Sequence, residues 1–206
     1  NSTDSINKFE EEGKTTMIVS KNKKIIGIIA IADAIKDDSI EAIKRLKNYK
    51  TVMITGDNER TARAIAKQVG IKEVIANVLP ENKAKMVEKL QKSGMVAFIG
   101  DGINDAPALK QSNVGIAIGT GTDIAIEAGD IVLANGSLIG VVQAINLSKA
   151  TFRKIKQNLF WAFAYNVIAI PLAVGGLLHP VVAEIAMALS SITVVTNANL
   201  LRRKKI

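Results

Sequence analysis

Two long apolar runs near the end of the chain restrict its fold more than any other feature. Residues 158–178 carry no charged side chain, and residues 181–201 carry only Glu184, close to the start of the run. About 20 residues at about 1.5 Å each cross the roughly 30 Å hydrocarbon core of a bilayer. We therefore expect a membrane hairpin with a tight turn at His179 and Pro180. The alternative, two buried helices of a soluble core, would usually give shorter runs with a polar stripe.

Basic residues flank this hairpin on both sides. The positive-inside rule therefore places both ends of the hairpin in the cytoplasm. The chain has 27 Lys and Arg against 19 Asp and Glu, a formal net charge of +8. Because membrane topology explains much of this excess, the lipid bilayer is the expected partner and nucleic acid is not. The flanking residues are Lys149, Arg153, Lys154 and Lys156 before the hairpin and Arg202, Arg203, Lys204 and Lys205 after it.

The composition excludes several classes of protein. Apolar residues make up 48% of the chain, too many for a disordered segment. Cysteine is absent, which excludes a disulfide framework, a thiolate zinc site, an iron–sulfur cluster and a cysteine nucleophile. The polar stretch that opens at Asn1 has no signal-peptide pattern, so we expect the chain to begin inside a longer protein.

The first two thirds of the chain alternate short β-branched runs with amphipathic stretches. Such alternation indicates an α/β domain with a parallel sheet, whose ligands bind beyond the carboxyl ends of the strands. Strands are predicted at 16–20, 25–31, 51–55, 95–100, 114–118 and 131–133, and helices at 38–48, 58–70 and 81–92.

Two loops after predicted strands are rich in groups that bind metal and phosphate. TGDN occupies 55–58, and GDGINDAP occupies 100–107. Carboxylates gathered at one sheet edge would repel one another unless a hard cation such as Mg²⁺ lay among them. Lys83, at the start of a predicted helix, offers a positive charge for phosphoryl oxygens. The set suits phosphoryl transfer. The alternative is ordinary strand-to-helix turns, which also favour Gly, Asp and Asn, and for Lys83 a solvated helix lysine.

TGDN, the segment 80–83 and GDGINDAPAL at 100–109 resemble, in order and spacing, motifs of the P-type ATPases, cation pumps with a phosphorylation domain of haloacid dehalogenase type. The resemblance implies an α/β fold with an incomplete haloacid-dehalogenase-like (Rossmann-like) parallel sheet, followed by the two-helix transmembrane hairpin. It also implies site residues. Asp101 would bind Mg²⁺, Asn104 and Asp105 would support phosphate and metal, Thr55 would hydrogen-bond the phosphoryl group and Lys83 would neutralise it. Gly56 and Asp57 would close on ATP, and Asp33 would lie at the hinge with the nucleotide domain, although Ala34 replaces the usual proline.

Polar residues inside the apolar runs narrow the resemblance to the copper-exporting, heavy-metal branch. Tyr165 and Asn166 lie near the middle of the first run, and Met187, Ser190 and Ser191 share one side of the second. In that branch these residues help to bind Cu⁺ in transit, and a thioether suits a soft ion. The alternative is that the serines and the asparagine join helices to one another, as such residues commonly do in membranes.

Two features of the family are missing from this chain. It has no DKTGT motif, which carries the phosphorylated aspartate, and no cysteine pair of the copper site. We expect 1–32 to be terminal strands of the nucleotide-binding domain, 33–143 the later part of the phosphorylation domain, and 144–206 a linker helix and the hairpin. The chain would thus be the C-terminal portion of a plasma-membrane Cu⁺ pump, inactive without its N-terminal part. The alternative is an inactive membrane-anchored binding or regulatory module; a stand-alone phosphatase lacks a placed aspartate nucleophile.

Overall fold

The computed structural model of the chain describes residues 2–32, 34–119, 123–177 and 179–203. The candidate hinge residue Asp33 and the basic residues Lys204 and Lys205 lie outside the described residues, as does Leu178 at the end of the first apolar run. The chain forms two compact units, Asn1–Val142 and Gln143–Ile206. A further division of the first unit at residue 32 stays a prediction.

The first unit opens with a helix and a β-hairpin. Helix α1 (Ser2–Glu11) precedes strands β1 (Thr15–Lys21) and β2 (Lys24–Ile31), which pair antiparallel. Asn22 and Lys23 between them have φ angles of 50° and 62°. Positive φ at both central residues is what a two-residue turn of type I′ requires, so this turn sets the hairpin. Sequence reasoning predicted both strands, but it missed α1, which lies in a polar stretch with a weak apolar pattern.

The rest of the unit alternates helices and strands, as the sequence predicts. The helices Lys83–Gln91 and Ala106–Gln111 each follow a single 3₁₀ turn, at Pro80–Asn82 and Ile103–Asp105. Three short elements, at Glu73–Ile75, Ala106–Gln111 and Asp123–Ala128, were not predicted. The elements are α2 (Ser39–Arg45), β3 (Val52–Ile54), α3 (Glu59–Val69), β4 (Glu73–Ile75), α4 (Lys83–Gln91), β5 (Ala97–Gly100), α5 (Ala106–Gln111), β6 (Val114–Ile118), α6 (Asp123–Ala128) and β7 (Ile131–Leu133).

The parallel strands form two separate sheets. Strand β3 pairs with β4, and β5, β6 and β7 pair in that order; all of these pairings are parallel. The prediction of parallel strands is therefore confirmed, but within the described residues β3 and β5 each have a neighbouring strand on one side only. Each of the two sheets thus keeps an edge with unpaired backbone N–H and C=O groups.

The larger sheet is held by close packing and by one carboxylate. Leu109 on α5 and Ala117 on β6 are almost fully buried, with Phe98 packed against them. The Asp130 carboxylate accepts a hydrogen bond from the Gly115 N–H at 2.7 Å, and the Asp130 N–H donates to the Gly115 carbonyl at 2.8 Å. These two bonds fix the start of β6 beside the start of β7.

Two helices make up most of the second unit. Helix α7 (Ile139–Val174) contains Pro171, and helix α8 (Pro180–Asn199) continues into a 3₁₀ turn, Leu200–Arg203. Both are long and apolar enough to cross a membrane, and none of their most apolar segments is buried inside the protein. Helix α7 is continuous from the first unit into the second and begins well before the apolar run. The predicted pair of long apolar helices is confirmed.

The start of α7 is held by side chains from the segment before α2. The Asp38 carboxylate accepts hydrogen bonds from the Ser137 hydroxyl and from the Ile139 N–H, the latter at 3.2 Å. Lys36 donates to the Gly136 carbonyl at 3.0 Å. The hydrogen bond from Ser137 lowers the pKa of Asp38 below its usual range. Asp38 therefore caps α7 rather than α2, at whose own N-terminus it stands.

We predict that Asp38→Ala speeds hydrogen exchange at the start of α7 about fivefold at neutral pH, since losing a cap costs about 1 kcal/mol. Because folding lowers the pKa of Asp38, the cap contributes fully above the unfolded pKa, near 4, and is lost as the pH falls through the folded value. The difference between the variant and the unchanged chain should therefore shrink below about pH 4. Exchange of peptides covering residues 136–142 measures it. Asp37→Asn, at an exposed neighbouring position, is the control. Equal exchange in the two variants at pH 7 would contradict the capping role.

Candidate functional site

The TGDN loop follows β3 and is held to the end of β4. The Thr55 hydroxyl donates to the Asp57 carboxylate at 2.8 Å and accepts from the Asp57 N–H at 3.2 Å. The Val78 N–H donates to the Thr55 carbonyl at 3.0 Å. Asn58 caps α3 by accepting from the Thr61 N–H at 3.0 Å. The loop thus has a fixed shape that orients the Thr55 and Asp57 side chains.

Gly56 at the tip of this loop is exposed. A Cβ added there would lie 3.5 Å from the Val78 carbonyl oxygen, an ordinary contact distance. Packing within the chain therefore does not require a glycine at this position. What the glycine does provide is an uncovered backbone that a ligand can approach closely.

A salt bridge joins the segment after β4 to the segment after β5. The Lys83 ammonium lies 2.8 Å from the Asp105 carboxylate, and the two side chains are only 18% and 12% exposed. The other carboxylate oxygen accepts from the backbone N–H groups of Asp101 and Gly102 at 3.3 and 3.2 Å. Asp105 thus fixes both the position of the Lys83 charge and the shape of the glycine-rich loop that carries Asp101.

Asp101 and Asn104 are exposed beyond the carboxyl end of β5. Among the described residues, no hydrogen bond or ion pair engages either side chain. Mg²⁺ in phosphoryl-transfer sites is typically held by one or two carboxylates together with phosphate oxygens and water. An uncommitted carboxylate at this edge is the type of ligand that such an ion uses, which makes Asp101 the candidate ligand in this chain.

The acidic groups do not crowd together as the sequence analysis expected. Within the described residues, no three His, Cys, Asp or Glu side chains come close enough to hold a metal ion. Asp105 is neutralised by Lys83, and Asp57 is engaged by Thr55 and, at 3.3 Å, by the Thr15 hydroxyl. The expected repulsion is thus relieved by a lysine and by hydroxyl donors. The Asp101 carboxylate stays available for a metal.

Sequence reasoning named Lys83 and Asp105 but missed that they form a pair. They are separated by 22 positions, and nothing in the local pattern connects them. The signal that could have suggested the pair is that both residues follow parallel strands, whose carboxyl ends carry the ligand-binding loops of such folds.

The five candidate copper residues divide into two groups on the hairpin. Tyr165 and Ser190 are half-buried, whereas Asn166 and Ser191 are exposed and Met187 is 70% exposed. The Asn166 amide donates to the Ala162 carbonyl at 2.7 Å, and the Ser191 hydroxyl donates to the Met187 carbonyl at 3.2 Å. These bonds use only donor groups, so the side-chain oxygens of Asn166 and Ser191 and the sulfur of Met187 remain available as ligands.

The three exposed candidates, Asn166, Met187 and Ser191, project from the same flank of the hairpin. Each follows by one position a half-buried residue, namely Tyr165, Ala186 or Ser190. One position turns a helix by about 100°, and antiparallel helices turn in opposite senses when viewed from one end. Residues that follow the facing positions of both helices therefore lie on one side of the pair. Polar groups at this depth normally face protein rather than lipid.

Three comparisons with known proteins relate this chain to haloacid dehalogenase-like hydrolases and to P-type ATPases. A family profile described as haloacid dehalogenase-like hydrolase matches residues 2–113. A copper-exporting P-type ATPase of Staphylococcus saprophyticus is 54% identical over the whole chain, and one of Staphylococcus aureus is 55% identical over 98% of it. The chain covers 26% and 25% of these two relatives, so it spans about a quarter of their length.

Solved structures resemble the chain as well. The crystal structure of a zinc-transporting PIB-type ATPase in the E2.Pi state matches with a TM-score of 0.84 and 40% sequence identity, covering 97% of this chain and 33% of that one. A second crystal structure of a zinc-transporting PIB-type ATPase, in another state, matches with a TM-score of 0.82. Together with the two membrane-capable helices, these matches identify an integral membrane protein.

We predict that Gly100→Ala weakens the Lys83–Asp105 pair. A Cβ at position 100 would lie 2.6 Å from the Asp105 Cβ, so Asp105 must move. Overpacking of this kind costs about 1–3 kcal/mol. Hydrogen exchange of peptides covering 97–105 in the full chain measures the loss. Gly27→Ala, whose added Cβ meets nothing within 4 Å, is the matched control. Exchange unchanged in both variants would show that Asp105 is not held in this position.

Proposed function

Because the chain belongs to the family of haloacid dehalogenase-like hydrolases, we propose that it supplies part of the phosphoryl-transfer site of an ATP-driven Cu⁺-exporting pump. It also supplies part of the membrane path for Cu⁺. The phosphorylated aspartate and the rest of the nucleotide site come from a segment of the pump outside this chain. The placement of the free Asp101 carboxylate next to the Lys83–Asp105 pair is the observation that carries the proposal.

The unpaired edges of the two parallel sheets support this division of the site. Strand β3 ends at the TGDN loop, and β5 ends at the loop of Asp101. A parallel strand inserted between β3 and β5 would satisfy both edges at once. Its carboxyl end would then lie between Thr55 on one side and Asp101 on the other, so an aspartate there would meet both loops.

Each residue has a role that its surroundings suit. Thr55 donates a hydrogen bond to a phosphoryl oxygen after its hydroxyl turns away from Asp57. Lys83 offsets phosphoryl charge while Asp105 keeps its ammonium in place, and Asn104 offers an exposed amide to the same group. Asp101 holds Mg²⁺, which when bound offsets charge on the phosphoryl oxygens. Gly56 and Asp57 contact the nucleotide. Asp33, which lies outside the described residues, is kept as the proposed hinge on the family resemblance alone.

Cu⁺ is the proposed cargo of the membrane unit. The relatives that match this chain are named as copper exporters, and the flank of Asn166, Met187 and Ser191 presents a thioether beside two oxygens. Tyr165 and Ser190 border the same site from the interface of α7 and α8. We place the pump in the plasma membrane. Basic residues flank the hairpin at both ends, which supports a cytoplasmic position for the first unit and for both chain ends.

We predict that Asp101→Asn lowers Mg²⁺-dependent phosphorylation of the full-length protein about a hundredfold or more, because the amide is a poor ligand for a hard cation. Transfer from radiolabelled ATP, followed by an acid gel, measures the hydroxylamine-sensitive acyl-phosphate. Asp37→Asn, the same substitution at an exposed position outside the candidate set, should retain full labelling. Equal labelling of the two variants would remove Asp101 from the site.

The isolated chain provides a second test of the same proposal. Because it lacks the DKTGT aspartate, it should form no acyl-phosphate in the assay. A labelled, hydroxylamine-sensitive band from the 206-residue chain would overturn the division of the site. A full-length protein that binds ATP but never becomes labelled would favour the alternative of an inactive regulatory module.

We predict that Met187→Ala lowers the Cu⁺ stoichiometry of the full-length protein, since it removes the thioether from the exposed flank. Copper bound after anaerobic loading and desalting measures the loss. ATP binding should stay unchanged, because Met187 lies outside the first unit, which carries the proposed nucleotide contacts. Met95→Ala removes an exposed thioether from the first unit and is the control. Full copper loading in Met187→Ala would contradict the metal role of this residue.

A further inference from the structure

A polar bracket joins α7 and α8 at one end of the apolar runs. The Lys154 ammonium donates to the Asn197 side-chain oxygen at 2.6 Å, and the Asn197 amide donates to the Asn158 side-chain oxygen at 2.7 Å. The structure describes two side-chain hydrogen bonds between these two helices, and Asn197 takes part in both. All three side chains are half-buried. In the sequence, Lys154 stands out only as one of the basic residues that flank the hairpin, and Asn197 carries no signal of its own.

The geometry of the bracket fixes the helices along their axes. Lys154 and Asn158 lie four positions apart, one helical turn, and Asn197 lies between them. A shift of α8 by one turn, about 5.4 Å, would break at least one of the two bonds. At the boundary of the apolar region, a broken bond would leave a polar group to be satisfied by water or lipid headgroups.

The bracket aligns residues deeper in the hairpin. Tyr165 follows Asn158 by seven positions, and Ser190 precedes Asn197 by seven positions. At about 1.5 Å per residue, Tyr165 and Ser190 lie about 10 Å from the bracket and level with each other. The exposed Asn166 and Ser191, which follow them, are brought to within about 3 Å of the same depth on the same flank.

We propose that Asn197 is a positioning residue, which Lys154 and Asn158 hold so that α7 and α8 keep the register that places Tyr165 level with Ser190. The inference that this register serves ion binding rests on the proposed copper path. The inference that Asn197 fixes the register does not. Asn197 itself contacts no cargo. It acts by fixing the helices that carry the candidate ligands.

Cross-linking in the full chain, reconstituted in lipid vesicles, tests the register directly. The chain has no cysteine, so introduced pairs are the only thiols. Ala162→Cys with Thr193→Cys is a level pair, four positions from Asn158 and Asn197 respectively. Ala162→Cys with Ala186→Cys is displaced by seven positions. A short dimaleimide should link the level pair faster than the displaced pair.

We expect Asn197→Leu to reduce this preference about three- to eightfold, since it removes both interhelical hydrogen bonds. Lys154→Met, which leaves the bond to Asn158, should have a smaller effect. Asn197→Asp should restore the preference, because a carboxylate accepts from Lys154 and from a turned Asn158 amide. Asn199→Leu, the same substitution at an exposed position of α8, is the matched control.

The outcomes separate this proposal from the proposed function. An unchanged preference in Asn197→Leu would overturn the register role, as would an equal loss in Asn199→Leu. Far-UV circular dichroism of each variant checks that the helices remain formed. Copper loading of the full-length protein is a separate measurement. Intact register in an unchanged protein that binds no Cu⁺ would refute the copper path and leave the role of Asn197 standing.

Discussion

The arrangement of the candidate site in the first unit depends on the contact between the Lys83 ammonium and the Asp105 carboxylate. Lys83 follows β4 of one parallel sheet, and Asp105 follows β5 of the other. Within the described residues, no strand pairing joins those two sheets. A lysine and an aspartate in a half-buried setting each lose hydration, so each needs the other. The same carboxylate receives two backbone N–H groups of the loop that carries Asp101. One interaction thus sets the position of the Lys83 ammonium and of the loop whose Asp101 carboxylate is proposed to bind Mg²⁺.

Much of the fold follows from the sequence alone. The six predicted strands are all present, because β-branched runs between turn signals leave little choice. Strand β4 was missed, because Lys72 and Glu73 interrupt the apolar pattern at its start. Nor does any local pattern reveal that β3 and β5 remain unpaired to each other. Pairing of strands is a property of distant segments, and the spacing of residues along the chain does not report it.

The members of the candidate site stay a prediction, but the placement of their loops and their contacts can be compared with the structure. TGDN and GDGINDAP follow β3 and β5, as the sequence indicates, since glycines beside aspartates after strands are typical of the carboxyl edge of a sheet. The expectation of carboxylates crowded around a cation was wrong for Asp105, because a lysine 22 positions away neutralises it. In the second unit, Asn197 was not among the predicted site residues, because its neighbours in the sequence give no sign of its partners on α7. Its two bonds to α7 appear only when both helices are seen together.

The unpaired edges of β3 and β5 also bear on how such a protein is made. In the proposed site, a strand inserted between them would have both of its hydrogen-bonding neighbours within residues 52–100 of this chain. Contacts between segments far apart in sequence form late, since loop closure costs entropy before any bond repays it. Sheet edges left unpaired in the meantime can pair with strands of other chains, which favours aggregation.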